Sequence, residues 1–390
     1  ERLIKAGARR LGLPNDAVVL SAQGWLPRLP EMRAALSCSR NLLEWQVRER
    51  VLRDDRIHVI GMTDAAELCG TSARVTGVRV RNRGTGHQYR LDADLVVDAT
   101  GMSSRAPEWL RELGAAPVRE KVISSKTAYS SRRYLAPPGV RDDFPAVLLR
   151  ANPLTGQPGR CGSILPIEKG QWLVSVAGTA GAQPPTDIDG FERFTWEMHQ
   201  GIVGRLLANA APVDGVRGYR NNVNRRRYFT RVPDGFLALG DSMTTTNPMY
   251  GQGASLAARS VLALRDGLAR YGFGRGVAAG IQREVLGRTR FAWHYATCQD
   301  ILFPNAVGRR DVSARWGKRV LDRLQRLAAS DPALFDTLLA GQTLSGSAAG
   351  ALTPRRPARL LGDVPGLPTE NAPFTEAEWA ALDHQGVRSA

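Results

Sequence analysis

A glycine-rich segment after an apolar run holds the residues best suited to chemistry. The run Gly235–Leu239 is typical of a buried strand, and it leads directly into Gly240 and Asp241. Open α/β sheets bind ligands at the carboxyl ends of their strands, where a carboxylate accepts hydrogen bonds from ligand hydroxyl groups. Glycines further along let backbone N–H groups approach a ligand, and the N-terminus of the following helix favours negative charge. The predicted binding residues are Gly240, Asp241, Pro248, Gly251, Gln252, Gly253 and Ala254.

The alternative for this segment is a Gly/Pro loop without a ligand, but a strand, Gly-Asp, a proline and Gly-Gln-Gly in this order favour a binding site. A second apolar run, Asp94–Ala99, predicts another buried strand, and Thr100 and Gly101 follow it directly. Ser39 has the residue type and position of a helix N-cap, which places Arg40 at the start of a helix. For Arg40 the alternative is a solvated charge at a helix terminus.

The hydrophobic pattern predicts the elements that must position these residues. Residues 1–12 are predicted to end an amphipathic helix, and a long helix is predicted from Ala254 to Tyr271, with further helices to about residue 340. Between residues 116 and 230 the pattern changes to alternating strands, which predicts an antiparallel sheet inserted between two parts of an α/β domain. The predicted strands are Ala17–Leu20, Gly24–Leu29, Ile57–Ile60, Ala73–Val80, Tyr89–Leu91, Ala146–Leu149, Cys161–Pro166 and Gln171–Gly178.

Composition limits the possible classes of protein. The chain has 390 residues, of which 43% are hydrophobic and 23% charged, as in ordinary globular domains. The formal charge of +16 comes almost entirely from dispersed arginines without interleaved aromatic residues, so we do not expect nucleic-acid binding. The four cysteines form no CxxC pair, the five histidines are isolated, and no apolar run is long enough to span a membrane. We therefore expect a cytoplasmic protein without a metal site.

At its strand ends the sequence resembles the single-component FAD-dependent aromatic hydroxylase and squalene epoxidase superfamily. In that family the Gly-Asp motif binds the ribityl chain of FAD, and the proline and following glycines line the isoalloxazine ring. A second motif, usually Asp-Gly followed by Ser and Arg, matches Thr100-Gly101 with Ser104 and Arg105, with threonine in place of aspartate. Arg40 matches an arginine that contacts FAD. The resemblance thus implies FAD contacts for Arg40, Thr100, Gly101, Gly240, Asp241, Pro248, Gly251, Gln252 and Gly253.

Within that superfamily the chain looks like the actinobacterial epoxidases of polyether antibiotic biosynthesis, of the monensin and lasalocid type. The resemblance extends to about residue 330, and it is more specific for the FAD fold than for the substrate. One departure is Gln252, where the polyether enzymes carry histidine. The stretches that carry the resemblance are ARRLGLPNDAVVLSAQGWLPRLPE, RVTGVRVRN, ADLVVDATGMSSR, LPIEKGQWLVSVAGTAGAQPPT, NRRRYFTRVPDGFLALGDS and NPMYGQG.

The resemblance implies a three-layer, Rossmann-like FAD-binding domain with an inserted antiparallel-sheet substrate domain and a helical C-terminal region. The family opens with a strand, a GxGxxG motif and a helix, and nothing near Glu1 matches them. We expect a fragment of a functional enzyme; a first βαβ unit supplied by a second chain and a loss of flavin binding are the alternatives. The predicted parts are 38–115 with 231–275 (FAD-binding), 1–37 with 116–230 (substrate-binding sheet), 276–340 (C-terminal helices) and 341–390 (irregular tail).

The activity implied by the resemblance is epoxidation of alkenes in a linear polyketide precursor. Reduced FAD reacts with O₂ to a C4a-hydroperoxide, whose distal oxygen an alkene attacks, and NADPH or NADH supplies electrons, with a flavin reductase as a possible partner. Because the cofactor carries the chemistry, no catalytic side chain is assigned, and the nearest candidates are Pro248, Met249 and Tyr250. Substrate-pocket candidates, for which an ordinary core position is the alternative, are Tyr129, Leu149, Leu165, Trp172, Phe291 and Trp293.

Two other functions remain open at this point. One is hydroxylation or dehydrogenation of another apolar or aromatic natural product by the same cofactor. The other is a non-catalytic or partner-dependent protein that has lost flavin binding. Gly240–Gly253, which matches the flavin-binding pattern, argues against the last of these.

Overall fold

The computed structural model describes residues 1–140, 143–309, 313–346 and 363–383. Its strands are β1 (Arg9–Leu13), β2 (Ala17–Ser21), β3 (Gly24–Trp25), β4 (Arg33–Ser37), β5 (Thr63–Gly70), β6 (Val75–Asn82), β7 (Gln88–Asp92), β8 (Val96–Asp98), β9 (Arg119–Leu135), β10 (Ala146–Leu149), β11 (Arg160–Ile167), β12 (Gln171–Gly178), β13 (Ala211–Pro212), β14 (Arg217–Tyr228), β15 (Phe236–Ala238) and β16 (Thr244–Thr245).

The helices are α1 (Arg2–Lys5), α2 (Arg40–Leu52), α3 (Ala106–Glu112), α4 (Ile188–Glu197), α5 (Ile202–Leu207), α6 (Gly253–Tyr271), α7 (Val277–Arg288), α8 (Arg290–Asp300), α9 (Ser313–Ala328), α10 (Pro332–Gln342) and α11 (Glu376–Asp383). In the part of the chain that the structure describes, no helix combines the length and apolarity needed to cross a membrane.

A large mixed sheet forms one half of the molecule. Its strands follow the order β16-β14-β9-β12-β11-β10-β2-β3, with β13 beside β9, and all neighbours are antiparallel except β2 and β10. Successive side chains of a strand point to opposite faces of a sheet. On β12, Trp172, Val174 and Val176 therefore share one face, where they join the hydrophobic core under α4 and α5. Ser175 and Ala177 face the opposite side, which borders a cavity.

The second half is built around two short parallel strands. β8 and β15 pair in register from Val96 opposite Phe236 to Asp98 opposite Ala238, as expected for the two apolar runs. Helices α3, α6 and α7 cover them with a second hydrophobic core. The buried Gln282 of α7 bonds the backbone N–H and C=O of Ala238, which fixes the helix to the strand. The predicted α/β fold class is confirmed by this arrangement.

Two predicted elements near the front of the chain were wrong. Arg9–Leu13 is a strand instead of part of a helix, and it pairs antiparallel with Arg33–Ser37. Residues 57–60 are irregular, and the strand lies further on, at β5. β5 lacks an apolar alternation, but cross-strand ion pairs with β6, such as Arg79 with Glu67, stabilise it.

The described part of the predicted irregular tail contains a helix. α11 begins with a capping box, in which the Glu378 carboxylate accepts from the Thr375 N–H (2.7 Å) and the Thr375 hydroxyl accepts from the Glu378 N–H (3.2 Å). Leu382 of α11 is buried in the core below the large sheet. The sequence Thr375-Glu-Ala-Glu378 therefore carried a helix signal that the Gly/Pro-rich composition obscured. Residues 347–362 and 384–390 of the predicted tail lie outside the described residues.

Candidate functional site

The carboxyl ends of β8 and β15 are tied together by Asp98. Its carboxylate accepts hydrogen bonds from the Thr100 N–H (3.0 Å), the Thr100 hydroxyl (2.6 Å) and the Ser242 hydroxyl (3.3 Å). The Ser242 hydroxyl in turn accepts from the Gly101 N–H (3.0 Å). The Thr100-Gly101 turn is thus a neighbour of the Gly240–Ser242 turn. The sequence motifs in these two turns were both expected to contact FAD.

Arg227 donates hydrogen bonds to both of these turns. Its buried guanidinium donates to the carbonyls of Ser242 (2.9 Å) and Met102 (3.1 Å), and to the Glu120 carboxylate (3.0 Å). The adjacent Arg226 is also buried and donates to the Leu286 carbonyl. The arginine run at 225–227 therefore joins elements of the fold, with two of its three side chains in the interior.

Asp241 follows Gly240 at the end of β15, and its carboxylate is under the electrostatic influence of Arg40. Gly240 has a φ of +58°, a conformation that favours glycine, and it directs the chain so that Asp241 is half-buried. Burial raises the pKa of Asp241, while the positive charge of Arg40 acts to lower it. Arg40 begins α2 behind its Ser39 cap and pairs with Glu44 (2.6 Å). The positive charge at the start of α2 is thus felt at the end of β15.

The start of α6 is open and without a side-chain cap. Gly251 has a φ of +67°, and a Cβ added at Gly251 or Gly253 would meet nothing within 4 Å. Gln252, at the N-cap position, makes no capping bond: its Nε2 donates to the Gln342 carbonyl (2.9 Å), and its Oε1 accepts no hydrogen bond in the described structure. Free N–H groups beside open space at a helix N-terminus suit a polar or anionic part of a cofactor.

The turn Pro248–Tyr250 is held by a buried carboxylate that the sequence analysis missed. Asp300, at the end of α8, accepts from the Tyr250 hydroxyl (2.7 Å), Asn247 Nδ2 (2.9 Å) and Asn224 Nδ2 (2.7 Å). Asn247 also fixes the turn by accepting from the Met249 N–H (3.2 Å). Burial raises the pKa of Asp300, and the hydrogen bonds it accepts oppose that shift.

One signal could have singled out Asp300. A carboxylate in the last turn of a helix opposes the helix dipole and is unfavourable unless a partner stabilises it. In the stretch RFAWHYATCQD this residue carries the only negative charge. Its partners come from β14 and from the Pro248 turn, distant in sequence, so the network itself could not be predicted.

A cavity of about 570 Å³ opens beside the Pro248–Tyr250 turn. This volume falls within the range of small-molecule sites. Most of its lining is apolar, and Cys161 Sγ lies 2.8 Å from Met249 Sδ at the wall, where burial raises the pKa of the thiol to about 12. Seven of the predicted residues line it together: Tyr129, Leu149, Leu165, Pro248, Met249, Tyr250 and Gly251.

The other three predicted pocket residues do not line this cavity. Trp172 lies on the opposite face of β12 and packs against Phe144, with ring centroids 5.0 Å apart. Trp293 is enclosed in the interior, with Arg226 6.0 Å from its ring centroid. Phe291 is more than one-third exposed and stacks on Tyr295. Tyr295 in turn packs edge-on against Tyr250 at the cavity wall, so Phe291 is separated from the cavity by these two rings. Trp172 and Trp293 thus occupy core positions, the alternative that the sequence left open, whereas Phe291 is partly exposed.

With the geometry described, the chain can be compared with known proteins. No family model matches it. "Protein Rv3254" of Mycobacterium tuberculosis (strain ATCC 25618 / H37Rv) is 27% identical over 354 residues, which cover 86% of this chain and 73% of that protein.

The chain is also similar in structure to solved flavoproteins, of which two serve as examples. The flavin-dependent brominase Bmp2 has a TM-score of 0.64 at 13% identity, covering 88% of this chain and 78% of its own. PqsL, a probable FAD-dependent monooxygenase from Pseudomonas aeruginosa, has a TM-score of 0.54 at 16% identity, covering 78% of this chain and 81% of its own. The chain therefore has the fold of FAD-dependent monooxygenases and flavin-dependent halogenases.

Proposed function

We propose that the chain is an FAD-dependent monooxygenase. The observation that carries this proposal is the adjacency of two features: an uncapped, glycine-lined helix start beside Asp241, and an apolar cavity that the Pro248–Tyr250 turn also lines. A cofactor bound at the first feature would contact a substrate bound in the second. In this proposal residues 38–115 and 231–275 bind FAD, and residues 1–37 and 116–230 bind the substrate.

The residues present fit FAD. The Asp241 carboxylate would accept hydrogen bonds from ribityl hydroxyl groups, Arg40 would offset negative charge, and the α6 N–H groups would face the flavin ring. The open space over Gly251 and Gly253 leaves room for that ring, which side chains there would obstruct. When bound, FAD supplies the activated oxygen that the side chains of this chain cannot provide.

The chain's own residues position and shield the substrate. The apolar lining at Leu149 and Leu165 excludes water from the space beside Met249. The Asp300 network keeps the Pro248–Tyr250 turn in one conformation, so the cofactor side of the cavity has a fixed shape. The side chains of this turn are assigned positioning roles only.

We further propose that the substrate is an alkene of a linear polyketide precursor, which is epoxidised, with NADPH or NADH as the electron donor and a flavin reductase as a possible partner. The resemblance to the polyether epoxidases supports this assignment, and the apolar cavity accommodates a hydrocarbon chain. A single-oxygen transfer to an alkene needs no acid or base from the protein beside the reacting carbons, in agreement with the uncharged wall at Leu149, Leu165 and Met249.

Replacing Asp241 by alanine is expected to weaken FAD binding about 10-fold or more, because a hydrogen bond to a charged group is lost. Titration of the purified protein with FAD, followed by flavin fluorescence, measures the dissociation constant. Asp266→Ala, at a partly exposed ion pair on α6, is the matched control and should bind FAD like the unaltered protein. Equal flavin affinity in the Asp241→Ala variant, with the fold intact, would rule out this cofactor site.

The same carboxylate predicts the pH dependence of FAD binding. Burial raises the pKa of Asp241 above the ordinary aspartate value, so it takes up a proton at a higher pH than an exposed aspartate does. Protonation removes its negative charge, and we expect the FAD dissociation constant to rise as the pH falls through that raised pKa. The Asp241→Asn variant cannot titrate at this position, so its dissociation constant should change less over the same range. The prediction would be contradicted if the FAD dissociation constants of both proteins changed equally with pH.

A further inference from the structure

Arg150, the residue after β10, lies between two cavities. It lines the site cavity together with Ala151. Both residues also line a second, larger cavity of about 960 Å³, whose walls include Trp25, His199 and Trp379. The two cavities are therefore neighbours that meet at Arg150.

Arg150 is the one charged side chain among the described residues that line the site cavity. In the described parts of the chain no carboxylate forms an ion pair with it. The other arginines that line the larger cavity have partners within the protein. Arg160 pairs with Glu197 at 3.0 Å, and Arg205 lies 5.1 Å from the ring centroid of Trp379. Arg150 is partly buried, and a guanidinium without a protein anion is available to bind an anionic ligand.

The charge of Arg150 acts inside the site cavity. Burial raises the pKa of the Cys161 thiol, and the positive charge of Arg150 acts in the opposite direction. Cys161 contacts Met249 of the Pro248–Tyr250 turn. Arg150 is thus within electrostatic reach of the region where the proposed function places the reacting part of the substrate.

We propose that Arg150 binds a carboxylate of the substrate at the junction of the two cavities. This inference rests on the proposed function and names its substrate class: an apolar, unsaturated chain that ends in a free carboxylic acid. A guanidinium binds a carboxylate with two parallel hydrogen bonds, which fixes orientation as well as affinity. The hydrocarbon part then extends along Leu149 and Leu165 towards the turn. Alcohols and esters of the same chain lack the group that Arg150 recognises.

A binding experiment without flavin turnover tests this assignment. The probes are undecylenic acid and undecylenyl alcohol, which share a terminal alkene and a chain length and differ in the charged group. Isothermal titration calorimetry on the purified protein should show the acid binding about 10-fold or more tightly. Arg150→Gln should remove that preference and leave alcohol binding unchanged, while Arg150→Lys should retain part of it. Arg205→Gln, in the larger cavity, is the matched control and should keep the preference.

Several outcomes would overturn the proposal. They are equal binding of acid and alcohol by the unaltered protein, binding of neither probe, and an equal loss of both in the Arg150→Gln variant. Tighter binding of the corresponding alkyl phosphate would assign the site to phosphate instead of carboxylate. Because the readout needs no flavin, failure of FAD binding in the Asp241 experiment and failure here are separate results.

Discussion

Replacing Asp300 by alanine is expected to lower the free energy of unfolding by about 2–5 kcal/mol, because several buried donors lose their acceptor. Asn224 Nδ2 and Asn247 Nδ2 each have another acceptor, at Ile123 O and Thr127 Oγ1. The Tyr250 hydroxyl donates to Asp300 alone among the described hydrogen bonds. Most of the lost free energy of unfolding would therefore come from the unpaired Tyr250 hydroxyl, and Tyr250 would no longer be fixed to α8.

Denaturant unfolding followed by circular dichroism measures the loss. Tyr250→Phe removes one donor and leaves the carboxylate with its asparagine partners, so it should cost about 1 kcal/mol. Asp266→Ala again serves as the control at a partly exposed ion pair, with an expected loss of less than about 1 kcal/mol. A loss for Asp300→Ala no larger than that of Asp266→Ala would show that the network does not stabilise the fold.

The local elements of the site were predictable, and the faces of its strands were not. β10 and β12 were predicted to the residue, and α6 to within one, because apolar alternation and helix signals are local. The alternation on β12 gives two faces but does not say which one borders a cavity. Trp172 was therefore placed in the pocket, although α4 and α5 cover its face.

The supporting residues that could not be predicted from the sequence belong to polar networks between distant segments. Asp98 was foreseen as the end of a strand, but its role in joining the Thr100 and Ser242 turns depends on the parallel pairing of β8 with β15. Asp300 depends likewise on the approach of α8 to β14. The proposed binding residues could be named from the sequence because glycines and a carboxylate at strand ends follow general rules, whereas the residues that hold them in place depend on packing.

Helix α2 shows a further limit of sequence patterning. Its cap at Ser39 was predicted and is present, but its residues bury no side chain in the described structure. Trp45 and Val47 are each more than half exposed. Local signals therefore predicted this helix, although the described chain fully buries none of its apolar residues.

Replacing Lys318 by methionine is expected to cost about 3–5 kcal/mol, the usual result when one member of a buried ion pair is removed. Lys318 and Asp322 pair within α9, and their side chains are only 1% and 5% exposed. Burial lowers the pKa of Lys318 and raises that of Asp322, because removal from water disfavours the charged form of each group. Asp322 Oδ2 has no hydrogen-bond partner in the described structure, so loss of Lys318 leaves this carboxylate poorly compensated.

The double variant Lys318→Met/Asp322→Leu should recover most of that loss, because two apolar side chains have no charge to desolvate. Unfolding free energies of both single variants and the double variant form a cycle that isolates the coupling of the pair. Additive losses would contradict the prediction, since they would mean that the two charges do not compensate each other.

The pair also bears on the site, because Leu321 of α9 packs against Tyr250 and Tyr295. An ion pair inside an apolar contact restricts a helix to one register, which is the best supported use of buried charges. If it does so here, the stable double variant should bind FAD more weakly than the unaltered protein, because the Pro248–Tyr250 turn is less firmly held. Unchanged FAD affinity in a double variant of full stability would show that packing alone sets the position of α9.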